Sequence, residues 1–341
     1  MVAEARKQEA PLISICIGTF NRSQKVYKLV NDILLYPGNE IEVIVLDNCS
    51  TDDTKILLTK IKDPRFLFVE NSKNLGGIIN PIKALTLANG KYAFVCLDKD
   101  KIEPENIRGL INRLNADPGI TFGICVLNLK KEKPDIHYDK GFASVLNMAY
   151  LGHHPTGFFY NSNTYKELPI VKKLLEKHEK FGFYFDLINA EMAVLGRSSI
   201  IKLPLFYTET KDECSTAPSF TYTEKDVFFS PDKRAVEFDI YLQSASGLTI
   251  SKSDLAKLIK KLYNNGLMAS TQMYKKIMAD DLICAHYGMK SRRVSYLELW
   301  KLGRNFTNFF LCKTIEMNIA GKVYIVIEGC AKVLARSVLS K

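Results

Sequence analysis

The sequence predicts an α/β fold with a mostly parallel central sheet, helices on both faces, and a helical C-terminal region. In the first half of the chain, near-continuous apolar runs alternate with amphipathic segments, which is typical of parallel strands buried on both faces. From Ser251 onward the apolar residues recur at helical spacing, with one face formed by Leu255, Leu258, Ile259 and Leu262.

The predicted elements follow in order along the chain. Five apolar runs read as strands, namely LISICIG (12–18), IEVIVLD (41–47), FLFVE (66–70), YAFVCLD (92–98) and ITFGICVL (120–127). Helices are expected between them, over about 24–35, 54–61, 78–88 and 104–114. Residues 129–165 are expected to be irregular. Helices over about 164–180 and 186–195 follow, and residues 198–250 are expected to form strands and loops.

Charge is distributed unevenly over the 341 residues, which carry 47 Lys and Arg against 37 Asp and Glu. Residues 251–341 hold 16 basic and 6 acidic residues, whereas the first 250 residues are neutral. The asymmetry predicts a boundary near residue 250, between a domain at 1–250 and a basic helical region at 251–341.

Cysteine usage and the N-terminus bear on the compartment. The eight cysteines form no CxxC pair, and several lie in apolar runs, so we expect them to be reduced and buried. The start MVAEARKQEA lacks an apolar signal core, and no stretch reaches the roughly 18 uncharged apolar residues of a membrane span. These features predict a cytoplasmic protein.

Polar residues follow four of the predicted strands. They are Thr19–Arg22, Asp47–Asp52, Asn71–Gly77 and Asp98–Asp100. The carboxyl ends of parallel strands meet at one edge of a sheet, and ligands bind in the crevice outside that edge. The sequence therefore predicts a site there.

Asp98 and Asp100 are the candidate metal ligands. Two residues apart on an extended chain, both side chains would point the same way. Mg²⁺ or Mn²⁺ takes one or two carboxylates together with substrate phosphates. The alternative is a solvated loop that happens to carry two charges.

The sequence resembles the bacterial inverting glycosyltransferases of family 2, which have the GT-A fold. The resemblance rests on the order and spacing of four runs, namely PLISICIGTFNR, IEVIVLDNCSTDDT, NLGG and GKYAFVCLDKDKI. The similarity covers residues 11–128 and continues more weakly to about Arg197. It implies a nucleotide-binding half at about 11–128 and an acceptor half at about 129–250. The implied nucleotide ligands are Thr19, Asn21, Arg22, Asp47, Asn74, Gly77 and Asp98, with Asp47 accepting a hydrogen bond from the uracil imide.

The loop His153-His154-Pro155-Thr156-Gly157 resembles the acceptor-side loop of several bacterial members. The implied sugar or acceptor contacts are His154, Thr156 and Gly157. Adjacent residues of a strand point to opposite faces, so at most one histidine would face the sugar. A structural or solvated histidine is the alternative, and no ligand spacing for zinc accompanies the pair.

An inverting transferase needs a general base for the acceptor hydroxyl. The family's base lies at the start of a helix such as that predicted from 186, which indicates Asp186. The helix N-terminus favours its ionised form. A plain helix cap is the alternative role, and Glu191 is the fallback base.

Together these features predict transfer of a sugar from a nucleotide sugar, UDP-sugar being favoured, to a hydroxyl of a glycan or lipid-linked glycan. The resemblance implies inversion and a place in bacterial cell-surface polysaccharide synthesis. A non-catalytic scaffold, with a metal site made degenerate by Lys99, is one alternative. A sugar nucleotidyltransferase is another, although GTFNRSQK matches its Gly-rich loop poorly. The lack of a G-x-G-x-x-G turn after the first strand argues against a dinucleotide oxidoreductase.

The basic tail has two interpretations. It is either a solvated helical face or a surface resting on an anionic membrane, at the inner face of the cell membrane. The second interpretation rests on interleaved aromatic residues, namely Tyr296, Trp300, Phe306, Phe309 and Phe310. Nucleic acid is not an expected partner, because no recognised binding module is present.

Overall fold

The computed structural model describes residues 10–176, 183–208, 227–313 and 317–339, with side chains described as far as residue 331. The chain divides into two compact units, Met1–Cys214 and Ser215–Lys341. Each unit is described below by itself.

The first unit contains an eight-stranded sheet in the order β3-β2-β1-β4-β8-β6-β9-β7. The strands are β1 (Ile13–Thr19), β2 (Ile41–Asp47), β3 (Phe66–Glu70), β4 (Tyr92–Leu97), β6 (Ile120–Cys125), β7 (Ile136–Tyr138), β8 (Phe158–Asn161) and β9 (Arg197–Ile201). The first four strands pair in parallel, as does β6 with β9. The pairs that contain β7 or β8 are antiparallel. A separate antiparallel pair joins β5 (Lys101–Ile102) to β10 (Phe206–Tyr207).

Helices of the first unit connect these strands. They are α1 (Ser23–Leu34), α2 (Thr54–Leu58), α3 (Ile79–Leu85), α4 (Ile107–Ala116), α5 (Phe142–Met148), α6 (Ser162–Glu167), α7 (Pro169–Glu176) and α8 (Tyr184–Leu195). The five predicted strands and the helices between them are confirmed, as is the helix near 186–195. The predicted helix at 164–180 is instead two helices, because Pro169 pushes Leu168 out of the helical conformation (ψ 128°). Its expected end at 177–180 lies outside the described residues.

Strand β8 is not predicted by the sequence pattern. Residues 129–165, expected to be irregular, contain β7, α5 and β8, and β8 lies between β4 and β6 in the middle of the sheet. Four residues are too few to show an alternating pattern. Packing identifies the strand instead, since the buried ring of Phe159 stacks on Phe94 with 4.8 Å between ring centroids.

The second unit is helical in its described residues. Its helices are α9 (Pro231–Ser246), α10 (Lys252–Met268), α11 (Tyr274–Met278), α12 (Asp281–His286), α13 (Tyr296–Cys312) and α14 (Ile319–Leu339), with a π-helical turn at Ala269–Met273. The helical periodicity predicted from Ser251 is confirmed by α10, whose N-cap is Ser251.

Helix α9 contradicts the expectation of strands and loops over 198–250. Its run VEFDIYL alternates in polarity like a strand, which explains the error. The helix is favoured by Pro231 at its first turn and by the Ser230 side chain, which accepts a hydrogen bond from the Lys233 amide. Because α9 packs on α10, the division between the units falls before residue 215 and not near residue 250.

Cysteine burial is mixed among the described residues. Cys16, Cys96, Cys125 and Cys284 are free and buried, as expected, whereas Cys49 and Cys312 are exposed and Cys330 is half-buried. Cys214 lies outside the described residues. Among the residues that the structure describes, no helix is long and apolar enough to cross a membrane.

The position of β8 gives a stability prediction. Phe159→Ala removes a fully buried ring between two strands and should lower the free energy of unfolding by about 3–5 kcal/mol. Leu35→Ala is the control, because Leu35 is 71% exposed and its loss should change stability little. Urea unfolding of both variants measures this. Equal stability of the two variants would show that β8 does not belong to the core.

Candidate active site at the carboxyl edge of the sheet

The buried carboxylate of Asp98 joins the ends of two neighbouring strands. It follows β4, and its Oδ2 accepts a hydrogen bond from the Thr19 hydroxyl at the end of β1 (2.9 Å). Its Oδ1 accepts one from the Arg22 guanidinium just before α1 (2.7 Å). Burial raises the pKa of Asp98, while the Arg22 charge lowers it. The structure therefore brings together three of the predicted site residues.

Asp98 and Asp100 do not lie on one extended strand, contrary to the prediction from the sequence. Strand β4 ends at Leu97, and the Asp100 amide donates to the Leu97 carbonyl (3.0 Å), which forms a turn. The two carboxylates have different partners as a result. Asp98 binds the end of β1, whereas Asp100 accepts a hydrogen bond from the Thr156 hydroxyl.

The loop before β8 reaches the same place through Thr156 and His154. The Thr156 hydroxyl also accepts a hydrogen bond from the Leu97 amide (3.0 Å), so this buried side chain fixes the turn after β4. His154 Nδ1 lies 3.7 Å from the Asp100 carboxylate. Burial lowers the pKa of His154, and the nearby charge of Asp100 opposes this effect only in part. The lowered pKa favours a neutral imidazole. The neighbouring His153 is exposed.

Gly157 has a structural role that the sequence analysis did not anticipate. Its φ is +91°, and a Cβ added there would lie 2.4 Å from the Cys125 carbonyl oxygen. Its amide donates to Val95 of β4 and its carbonyl accepts from Cys125 of β6. Glycine is required because the backbone of this loop passes between two strands.

The turns after β1 and β2 are bonded to each other. The buried Asp47 carboxylate accepts hydrogen bonds from the Ser50 amide (3.0 Å) and the Ser50 hydroxyl. Asn21, with φ of +50°, accepts from the Thr51 amide through Oδ1 (2.8 Å), and its own amide donates to Ser50 Oγ. The predicted nucleotide residues of these two turns therefore form one connected edge.

A network of asparagines behind this edge was also missed. Asn48 donates to Asn74 Oδ1 and accepts from the Leu75 amide, both at 2.8 Å, so it holds the 74–77 turn. Buried Asn80 of α3 donates to the Leu46 carbonyl (2.9 Å) and accepts from Asn71 (2.8 Å). The available signal was a short polar side chain among the apolar residues at the start of α3.

Glycines support the same edge at two points. Gly18 lets α3 approach β1, since a Cβ there would lie 2.9 Å from the Asn80 amide nitrogen. In the 74–77 turn, Gly76 has the left-handed conformation (φ +85°). Gly77, the residue singled out from the sequence, faces open space.

Asp186 lies in the first turn of α8 and is 2% exposed. Its Oδ2 accepts a hydrogen bond from the Gly152 amide (2.9 Å) and its Oδ1 from the Leu151 amide (3.2 Å). Tyr150 and Gly152 both have positive φ, so the carboxylate fixes a constrained loop just before His153 and His154. This anchoring contact was not foreseen.

Glu191 has a different environment. Its Oε2 accepts a hydrogen bond from the Ile170 amide at the start of α7 (3.3 Å), and burial raises its pKa. Among the described residues, no hydrogen bond or ion pair joins Glu191 to another predicted site residue. Asp186 is therefore better connected to the site than the fallback.

Few side chains at this edge could ligate a metal ion. Among the described residues, no group of three or more His, Cys, Asp or Glu side chains is arranged to hold a metal. Both carboxylate oxygens of Asp98 already accept hydrogen bonds from Thr19 and Arg22. Asp100 and His154 are the neighbouring pair with oxygen and imidazole donors.

Comparison with known proteins places this geometry in a family. Residues 14–181 match the family model described as glycosyl transferase family 2. A β-1,3-glucosyltransferase of Escherichia coli that uses UDP-Glc and α-D-GlcNAc-diphosphoundecaprenol is 36% identical over 89 residues, which are 26% of this chain and 35% of that protein. The succinoglycan biosynthesis protein ExoO of Rhizobium meliloti is 26% identical over 32% of this chain and 31% of its own length.

The aligned segment thus spans about a third of the length of these curated relatives. Among solved structures, S. aureus TarS 1–349 in complex with UDP superposes with a TM-score of 0.55 at 12% identity, over 90% of this chain and 94% of that one. That likeness shows the fold, a GT-A fold. Residues 14–181, which contain the strand ends that carry Thr19, Asp47 and Asp98, thus match glycosyl transferase family 2.

Proposed function

We propose that this protein transfers a sugar from a UDP-sugar to a hydroxyl of a glycan or lipid-linked glycan, with inversion at the anomeric carbon. The observation that carries the proposal is the Asp98 carboxylate, bonded to both Thr19 and Arg22 at the edge where GT-A folds bind their donor. Relatives whose names include diphosphoundecaprenol or PP-undecaprenol acceptors support a lipid-linked acceptor. The succinoglycan relative supports a role in bacterial polysaccharide synthesis.

The nucleotide is assigned to the turns after β1 and β2. The Asp47 carboxylate, which Ser50 holds in place, accepts a hydrogen bond from the uracil imide N–H. Asn21 and the 74–77 turn line the same edge. Arg22 has five N–H donors, and Asp98 fixes the guanidinium orientation through one of its nitrogens. The side chain is 38% exposed, so its other donors can face the diphosphate.

The residues present fit a divalent cation that is completed by phosphate and water. Asp100 supplies a carboxylate and His154 a neutral imidazole, and both donor types suit Mn²⁺. Asp98 would contribute through a carboxylate whose charge Arg22 partly balances. When bound, such a cation neutralises the charge of the departing diphosphate.

Asp186 is proposed as the general base. The acceptor oxygen bonds to the anomeric carbon as the bond to the diphosphate breaks, and the hydroxyl proton passes to Asp186. Two amide donors and the N-terminus of α8 favour the ionised carboxylate, which is the form that accepts a proton.

The nucleotide assignment predicts base-selective binding. UDP should raise the melting temperature more than GDP does, and Asp47→Ala should weaken UDP binding about 10–100-fold through loss of a charge-assisted hydrogen bond. Ser50→Ala is the control, since it keeps the carboxylate while removing one of its partners. Thermal-shift titration measures both. Unchanged UDP affinity in Asp47→Ala would refute the assignment of Asp47.

The metal assignment predicts that Asp100→Ala lowers transfer at least roughly 10²-fold and that added Mn²⁺ restores little of it. Lys99→Ala, in the same turn, should retain metal-dependent transfer. The measurement is turnover of UDP-sugar against Mn²⁺ concentration. If Asp100→Ala kept full turnover, the metal assignment would be wrong. Metal-independent UDP binding without turnover in the unmodified protein would favour a non-catalytic scaffold.

The base assignment predicts that Asp186→Asn reduces transfer by about 10²–10⁴-fold while UDP affinity stays within a few-fold. The amide keeps one oxygen to accept from the 151–152 loop, and Glu191→Gln serves as the matched control with little loss. Transfer kinetics and UDP titration separate the two effects. Loss of UDP binding together with transfer would assign Asp186 a structural role.

A further inference from the structure

Helix α13 of the second unit has an unusual outer face. Tyr296 and Leu297 are each 63% exposed and Trp300 is 59% exposed, on a helix whose other side buries Leu299, Phe306 and Phe310. The aromatic residues proposed from the sequence for membrane contact therefore divide into two groups. Tyr296 and Trp300 lie on the surface, whereas Phe306 and Phe310 pack in the core with Tyr263 and Phe238. The fifth predicted residue, Phe309, is half-buried, with Lys313 Nζ 4.2 Å from the centre of its ring.

Exposed cations accompany these aromatic side chains. Lys301 and Arg304 are exposed and follow Leu297 at four and seven residues, which places them on the same side of the helix. The Arg304 guanidinium lies 5.5 Å from the centre of the Trp300 ring. The acidic residue of α13, Glu298, is paired with Arg292. We call Tyr296, Leu297, Trp300, Lys301 and Arg304 the outer face of α13.

Helix α14 also exposes apolar residues. Ile319, Val323 and Ile327 are spaced by four residues and are 78%, 43% and 64% exposed, and Tyr324 beside them is 62% exposed. The charged side chains of α14 among the described residues have partners, and Lys260, the partner of Glu328, also lies 5.4 Å from the centre of the Tyr324 ring. Lys322 donates to the Lys313 carbonyl, and Glu328 pairs with Lys260 of α10. We call these four residues the outer face of α14.

We propose that the second unit binds the surface of an anionic lipid bilayer through the outer faces of α13 and α14. Trp and Tyr side chains suit the headgroup region, because the apolar part of the ring can face the acyl chains while its polar group bonds to water or headgroups. Lys and Arg beside them attract anionic headgroups. Residues 215–341 carry 19 basic and 11 acidic residues, so the charge of the whole unit favours the same partner.

A second copy of this chain is the competing occupant. A two-fold dimer through the outer face of α13 would place Lys301 and Arg304 close to the same residues of the other copy. Like charges across an interface oppose association, whereas anionic lipid neutralises them. Charge complementarity therefore favours the bilayer. The proposal concerns binding by the second unit and does not depend on the activity proposed for the first.

The chain has a built-in reporter, because Trp300 is its only tryptophan. The full-length protein is titrated with vesicles of phosphatidylglycerol and phosphatidylcholine, and with vesicles of phosphatidylcholine alone. We expect Trp300 emission to shift to shorter wavelength with the anionic vesicles and to shift much less with the neutral ones. We also expect co-flotation with the anionic vesicles to fall as salt is raised.

Variants test each face. Their binding is measured by flotation, because Arg304 lies beside the Trp300 ring and its replacement could change the fluorescence directly. Lys301→Glu with Arg304→Glu should weaken binding at least roughly tenfold. Lys60→Glu with Lys62→Glu makes the same charge change on exposed residues of the first unit and should bind as the unmodified protein does. Ile319→Gln with Ile327→Gln should also weaken binding, whereas Leu35→Gln, another exposed apolar residue, should not.

Three results would overturn the proposal. They are equal binding to neutral and anionic vesicles, equal binding of the α13 and control charge variants, and a lipid-free dimer that is broken by the α13 or α14 variants. Light scattering after size-exclusion chromatography measures whether the protein is a dimer without lipid. Circular dichroism melting shows that each variant is folded, and UDP binding by the first unit is expected to remain unchanged in all of them.

Discussion

The candidate active edge of this protein depends on one buried carboxylate, that of Asp98, which bonds to a residue of the neighbouring strand. Asp98 would be costly to bury as a charge without partners, and Thr19 and Arg22 supply a hydroxyl and a guanidinium to its two oxygens. Because Thr19 ends β1 and Arg22 immediately precedes α1, the same bonds that stabilise the carboxylate align the turn between these two elements. The turn after β2 then joins through Ser50 and Asn21. Charge burial thus sets the geometry of the edge.

The second half of the sheet completes the edge from the other side. β8 runs antiparallel between β4 and β6, and the loop before it reaches Asp100 through Thr156 and His154. Gly157 permits this by passing close to the Cys125 carbonyl. The two halves of the sheet therefore meet at one turn, where Asp98 is bonded to the first half and Asp100, two residues later, to the second.

The sequence predicted the parallel half well, since its strands are long, apolar and regularly separated by helices. It also predicted that the polar ends of β1, β2 and β4 lie at one edge, because that follows from parallel pairing. Strand β8 and helix α9 could not be predicted from the pattern of apolar and polar residues. Strand β8 is too short to show a pattern, and part of α9 alternates in polarity like a strand. The roles of Asn80 and Gly157 depend on packing between distant segments, which local sequence does not encode. The extended geometry assumed for Asp98 and Asp100 failed because a turn begins at Leu97.

If Asp186 acts as the proposed base, its contact with the 151–152 loop links proton transfer to the order of that loop. A carboxylate that accepts two amide hydrogen bonds is a stronger acceptor when ionised than when it carries a proton. Uptake of a proton would therefore weaken the anchor of a loop that already contains two left-handed residues, Tyr150 and Gly152. With Asp186 in its proposed role as general base, His153 and His154 on that loop would be held more firmly before proton transfer than after it, an order that suits release of the product.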